Sequence, residues 1–271
     1  MRGKGGWYSF GASCTFSGLC DFVMRDPSSS AGLRRGRMEG RELRRLLMMG
    51  MFLLFSGVVH ASDMVVDRIR VPVLEDFDGF EGTCEFLPDG FAVSKDGSNL
   101  LTEADSGDFK TSHAGGTSEG ACRPWNLGNG DLALGYQPTS DEFTPGFFVV
   151  SVSNATGRAV KRISISYEVV CFNNENRSSS LDFEYSLDGL RFIRVRELRY
   201  VSPEAEDPDV SWETSMRSIG LELSDSLANG ACIWLRWYGD DMGGGGSRDE
   251  YGINNLSVIF LEGKGTVVVV E

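Results

Sequence analysis

The sequence predicts an all-β protein, an antiparallel two-sheet sandwich, on three observations. Several segments alternate apolar and polar residues with a period of two. Others are short apolar runs rich in β-branched and aromatic residues, as interior strands are. Polar turn signals separate them, and no window carries a helical stripe of useful length.

Taken in order, "GFFVVSVS" (146–153) is a nearly continuous apolar run and closes at the turn signal Asn154–Gly157. "ISISYEV" then sets Ile163, Ile165, Tyr167 and Val169 on one face against Ser164, Ser166 and Glu168 on the other. "LDFEYSL" repeats the pattern, with Leu181, Phe183, Tyr185 and Leu187 opposing Asp182, Glu184 and Ser186, and ends at Asp188–Gly189. Further turn signals stand at 203–208 and at Asn229–Gly230. "CIWLRW" places Ile233, Leu235 and Trp237 inward and Cys232, Trp234 and Arg236 outward, and "NLSVIFL" (255–261) is a closing interior strand. Residues 94–130 are polar and Gly/Ser-rich, which predicts long loops with one or two short strands. The stretch 239–255, with Gly243–Gly246 at its centre, reads as a solvated glycine-rich connection whose acids Asp240, Asp241, Asp249 and Glu250 keep it soluble.

The ends of the chain bear on where it works. Arg41, Arg44 and Arg45 precede the apolar run Leu46–Val59, and the small residues Val59 and Ala61 follow. Residues 38–61 therefore read as a secretory signal peptide cut before Ser62, the run being shorter than the ~20 residues of a membrane span. Residues 1–37 read as a start codon placed too early or a disordered extension, and 62–271 as a single β-domain. The expected location is outside the cytoplasm: extracellular, periplasmic or at the cell surface. Residues 1–61 hold 9 Lys/Arg and 4 Asp/Glu; removing that surplus of five from the chain's −13 leaves −18. A chain this acidic repels phosphate backbones, which argues against a nucleic-acid partner. Once the signal is cut, no membrane partner is expected. Cys84, Cys122, Cys171 and Cys232 remain after the leader, an even number without a C-x-x-C spacing. In an exported chain that pattern predicts disulfide bonding rather than a zinc site, with Cys84–Cys122 the preferred pair because both lie in the loop-rich region.

Catalytic signatures are sparse. One histidine, His113, lies beyond the leader, and no Gly-x-Ser-x-Gly elbow is present. The glycines at 243–246 precede a strand, not the helix that a phosphate-cradling loop needs. Two acid pairs, Asp182 with Glu184 and Glu103 with Asp105, keep a glycoside-active enzyme as an alternative, although the strand motif E-x-D-x-x-E is absent. Aromatic side chains point instead to a binding surface, since a flat ring stacks on a sugar face. Trp234 and Arg236, outward on one strand, with Trp212 and Tyr251, are the candidate ligand-binding residues. Ordinary packing of the rings is the competing reading.

Several segments taken in order carry a resemblance: "EDFDGF" with "LPDGFAVS", "LALGY", "FFVVSVSNATGRAVKRISISYEV", "LDFEYSLDGLRFIRVRELRYVSP", "IWLRWYGDD" and "YGINNLSV". Together they resemble the jelly-roll, concanavalin-like accessory modules of bacterial secreted and surface proteins, found beside lamin-tail, nuclease or adhesin domains. The resemblance spans most of residues 75–260. It implies a jelly-roll sandwich and a non-catalytic glycan- or matrix-binding role, with a structural surface or coat protein as the alternative. It also implies a structural calcium where the first strand meets the last, here Asp76, Asp78 and Asn254, although "INNLSV" stands where such modules carry paired aspartates. No other cofactor is expected.

Overall fold

The computed structural model describes residues 63–262 throughout and, before them, two strands only. Residues 1–57 and 58–271 form separate units. In the first, Phe10–Cys14 (β1) pairs antiparallel with Cys20–Met24 (β2), Phe10 opposite Met24 and Cys14 opposite Cys20. The expected 1–37 extension thus contains one antiparallel strand pair, and Phe10, Phe22 and Val23 are strand-favouring residues within it. The signal peptide expected at 38–61 lies outside the described residues, as does the rest of the expected 1–37 extension.

The second unit is a sandwich of two sheets, with no helix longer than a 3-10 turn among the described residues. The front sheet contains Met64–Val66 (β3), Phe91–Ser94 (β5), Gly146–Asn154 (β8), Arg177–Ser186 (β10), Ile193–Arg194 (β11), Tyr200–Val201 (β12) and Cys232–Gly244 (β14). The back sheet contains Val73–Glu75 (β4), Ala121–Gly128 (β6), Asp131–Gln137 (β7), Val160–Phe172 (β9), Trp212–Leu227 (β13) and Glu250–Leu261 (β15). The front order is β11-β10-β14-β8-β3, with β12 beside β10 and β5 beside β8; the back order is β13-β9-β15-β7-β6, with β4 beside β15. From β8 onward the long strands alternate between sheets, as a jelly roll requires.

Alternation decides the core. Phe148, Val150 and Val152 of β8, Leu181 and Phe183 of β10, and Ile233, Leu235 and Trp237 of β14 turn inward from the front sheet. They meet Ile163, Ile165, Tyr167 and Val169 of β9 and Ile253, Val258 and Phe260 of β15. The Trp237 ring stands edge-on to Tyr167, with ring centres 5.3 Å apart.

Three features depart from the sequence reading. The sandwich is not wholly antiparallel, because β3 runs parallel to β8, Met64 beside Val152. Strand β13 is absent from the sequence reading: its exposure alternates from Ser215 to Leu223, but as the back sheet's edge it leaves much of its length in water and fully buries only Leu221, Leu223 and Leu227. The glycine-rich stretch is mostly strand, since β14 runs on to Gly244 through a bulge opposite Ser178/Ser179, leaving only residues 245–249 as connection. Backbone pairing needs no side chain, so glycine's poor propensity did not prevent it. Nor are that stretch's acids merely solvated: Asp249 and Glu250 are buried, and Asp241 is clamped by Arg177, whose Nε donates to Oδ1 at 2.8 Å.

No disulfide joins the four cysteines. Cys171 faces the core from β9, whereas Cys232 lies on β14, out of phase with the inward Ile233 and Leu235, its Sγ 3.3 Å from Asp63 Oδ2. Placed in different sheets with Cys232 turned out of the core, these two have no geometry for a bridge. Cys84 and Cys122 share the core, and burial first, then the neighbouring Cys84, pushes the Cys122 thiol pKa up.

Candidate functional site

The outer face of the front sheet is built on β14. Its register sets Trp234 opposite Ser186 and Ser151, Arg236 opposite Glu184 and Val149, and Tyr238 opposite Asp182 and Phe147. Because Ile233, Leu235 and Trp237 are committed to the core, these three half-buried side chains must point the other way. Arg236 is the hub. Its Nε donates to Glu184 Oε2 at 2.9 Å, and Nη2 reaches the same oxygen. Its guanidinium lies 3.7 Å from the Phe192 ring centre, and 5.3 Å and 5.5 Å from those of Phe147 and Tyr238. A cation over aromatic faces and tied to a carboxylate is held in one orientation.

Two more arginines extend this network along β10. Arg194 Nε donates to Glu184 Oε1 at 3.3 Å, and its Nη1 lies 3.2 Å from Asp182 Oδ2. Arg199 Nε lies 3.3 Å from Asp182 Oδ1. Burial raises the Asp182 pKa, and Arg194 and Arg199 oppose that rise. The acid pair kept as a glycosidase alternative is therefore enclosed by guanidinium groups. The other pair is a turn: Asp105 accepts the Thr102 N–H at 2.9 Å in a capping box, beside an exposed Glu103.

Of the four residues proposed for binding, the structure brings Trp234 and Arg236 together and separates the others. Tyr251 faces the core at 1% exposure, its hydroxyl 3.4 Å from that of Tyr136. A surface ligand cannot reach it; "EYGIN" continues β15 with Tyr251 in phase with the inward Ile253, and that phase was legible. Trp212 lies on the back sheet against Trp125 and Phe172, its Nε1 donating to Ala114 O at 2.9 Å. Phe192, Phe147 and Tyr238 are the residues sequence reasoning missed. Tyr238 follows from extending the "CIWLRW" alternation one step, but Phe192 arrives from the β10–β11 turn, which no period reveals. Trp234 does not stack with Arg236; its ring packs against the Asp188–Gly189 turn, where a Cβ on Gly189 would lie 3.3 Å from it.

The proposed calcium residues converge, but with their polar atoms already engaged. The last strand, β15, pairs with β4, Glu75 opposite Leu256, whereas the first strand of the sandwich, β3, lies in the front sheet beside β8. Asp78 Oδ1 accepts the Leu132 N–H at 2.9 Å, and Asp76 Oδ1 accepts the Asp78 N–H at 3.1 Å. Asn254 presents its amide N–H to Asp131 Oδ1 at 2.8 Å while its Oδ1 accepts the Asn255 N–H. A donor thus faces the carboxylate where a cation would need an oxygen. Among the described residues, no three His, Cys, Asp or Glu side chains are grouped to hold a metal. His113 Nδ1 accepts the Gly115 N–H at 3.1 Å and so helps shape its own loop.

Neither a protein-family model nor the sequence of a curated protein matches this chain. Among solved structures it is similar to CBM28, a carbohydrate-binding module specific for non-crystalline cellulose, at 10% identity over 76% of this chain and 100% of that one, with a TM-score of 0.39. It is also similar to the K3 cleaved adhesin domain of the Lys-gingipain of Porphyromonas gingivalis (11% identity, 69% and 98% coverage, TM-score 0.38). A third likeness is to the Arthrobacter globiformis isomalto-dextranase (13% identity, 71% and 33% coverage, TM-score 0.30). A carbohydrate-binding module, an adhesin domain and an enzyme thus stand together at low identity, and at these TM-scores none carries weight for function.

Proposed function

We propose that this chain is a non-catalytic, exported binding module that takes polysaccharide on the outer face of its front sheet. The observation that supports this most is the series Trp234, Arg236 and Tyr238 on β14, outward at alternate positions and flanked by Phe192. Partly exposed rings offer flat apolar surface, and the arginines and carboxylates beside them offer hydrogen bonds. A sugar presents the complementary pair, an apolar ring face and an equatorial fringe of hydroxyls. Export rests on the reading of residues 38–61, and its check is an N-terminus at Ser62 on material recovered outside the cytoplasm. In that setting Cys84 and Cys122, neighbours in one core, are the pair we propose for oxidation.

The test is a polysaccharide and glycan-array screen of the chain from Ser62, followed by Trp234→Ala and Tyr238→Ala. We expect each variant to melt within a few degrees of the parent and to lose binding at least tenfold, about 1.4 kcal/mol. Retention of full affinity by the double variant would remove this face from consideration. Hydrolysis that disappears in Glu184→Gln would turn the reading to an enzyme. Silence across the whole screen would leave a structural coat protein, which the closure of Arg236 between Phe192 and Glu184 favours.

A further inference from the structure

At the end of the sandwich where β15 begins, the core is lined with oxygen rather than hydrocarbon. Cys171 and Tyr251 are register partners that both face inward, and Phe172 pairs with Glu250. One step further out, Asn173 and Asp249 share that inner face, and Ser179, two residues before the inward Leu181, approaches from the front sheet. All three are buried, Asn173 and Asp249 at 0% and Ser179 at 2% exposure.

Their hydrogen bonding is incomplete. Asp249 Oδ1 accepts the Glu175 N–H at 3.1 Å, and Asn173 Nδ2 donates to Ala205 O at 2.9 Å. Asp249 Oδ2, Asn173 Oδ1 and Ser179 Oγ find no partner among protein groups. Ser202 stands beside this group, its hydroxyl accepting the Ser179 N–H at 3.0 Å. Buried oxygens without donors are costly unless something positive or hydrogen-donating sits among them.

The surrounding charge selects between those two. The charged groups acting most on Asp249 are Glu175 and Asp207, both negative, and Glu250 follows it in the chain. The nearest arginines in the sequence, Arg177 and Arg248, are both spent on Asp241. A carboxylate, an amide carbonyl and a hydroxyl in a negative field are the oxygen donors a hard cation takes. We propose that Asp249, Asn173 and Ser179 form part of a binding site for a hard divalent cation of the calcium class, which ties the start of β15 to the end of β9 and the start of β10. The site holds a single carboxylate, so it differs in composition from a cluster of acids, and it lies apart from Asp76, Asp78 and Asn254.

The test uses the chain from Ser62, stripped with EDTA and melted with calcium, magnesium or sodium chloride. Calcium at a hundredfold excess over its Kd should raise Tm by roughly 5–10 °C. Ser179→Ala and Asp249→Asn should lose most of that rise, while Asp78→Asn should keep it. If Asp249→Asn does not fold, direct titration of the stripped parent with calcium by calorimetry, together with Ser179→Ala, keeps the question open to refutation. No shift and no heat up to about 10 mM calcium, beyond the weakest extracellular calcium sites, would mean that water alone fills this end and would overturn the proposal. So would a calcium response that Asp78→Asn abolishes and Ser179→Ala leaves intact.

Discussion

The two outer faces of the sandwich begin from the same ingredients and end differently. Each places a tryptophan beside an arginine on a strand: Trp125 with Arg123 on β6, and Trp234 with Arg236 on β14. On the back sheet the pair is sealed. Trp125 covers Gly135, its Nε1 donating to Tyr251 O at 3.1 Å, and packs with Val170, Ala133 and Trp212 into a second small core. The loop before β6 closes over it: His113 bridges to Trp125, Ala114 O accepts the Trp212 N–H, and Gly115 sits on the Phe172 ring. On the front sheet the short Asp188–Gly189 turn reaches Trp234, and the ring stays partly in water. Strand alternation chooses the face of a side chain, but a loop's reach chooses whether that face becomes core or surface. Function is therefore sought on the sheet whose loops are short.

Removing the two tryptophans should break the comparison most sharply. Trp125→Ala should cost roughly 3–5 kcal/mol in urea unfolding, as a fully buried ring does, against at most about 1 kcal/mol for Trp234→Ala. Equal losses would mean that the front face is also core.

The next effect concerns the clasp on the sealing loop. Glu250 Oε1 accepts the Thr117 N–H at 2.6 Å, and with the Asn174 amide turned to satisfy both groups, its nitrogen donates to Oε2 at 2.8 Å. Burial, opposed by backbone donors at Thr117 and Gly116, pushes the Glu250 pKa up to about 7; burial likewise pushes Asp249 to about 6. A carboxyl whose folded pKa is raised binds more protons folded than unfolded, so its stabilisation is present in acid and lost as pH rises from about 4.5 through 7. In EDTA, the parent should lose up to about 3 kcal/mol across that window on account of Glu250. Glu250→Gln should flatten that slope. An unchanged slope in the variant would show that Glu250 is ionised throughout.

A smaller effect sharpens the same contrast from the floor of the back face. A Cβ on Gly135 would stand 2.0 Å from Trp125 Nε1, so Gly135→Ala should destabilise by about 1–3 kcal/mol through overpacking. The same change at Gly220, where a Cβ meets nothing within 4 Å, should be nearly silent. Urea midpoints at constant m-value are the measure.

What the sequence determined by itself was local and periodic. Two-residue alternation in "ISISYEV", "LDFEYSL" and "CIWLRW" settled the strands and their faces, because a pleat turns successive side chains to opposite sides whatever lies beyond them. It thereby placed Trp234 and Arg236 outward. Tertiary structure alone decided what met those faces. Phe192 reached Arg236 from another segment, Asp182 and Glu184 gained three arginines, and Trp212 was covered by a loop almost a hundred residues earlier in the chain. Asn173, Asp249 and Ser179 came to one end of the core only when β9, β15 and β10 were paired across two sheets. None of these meetings leaves a period in the sequence, since contacts between distant segments depend on strand order and loop reach, and composition encodes neither.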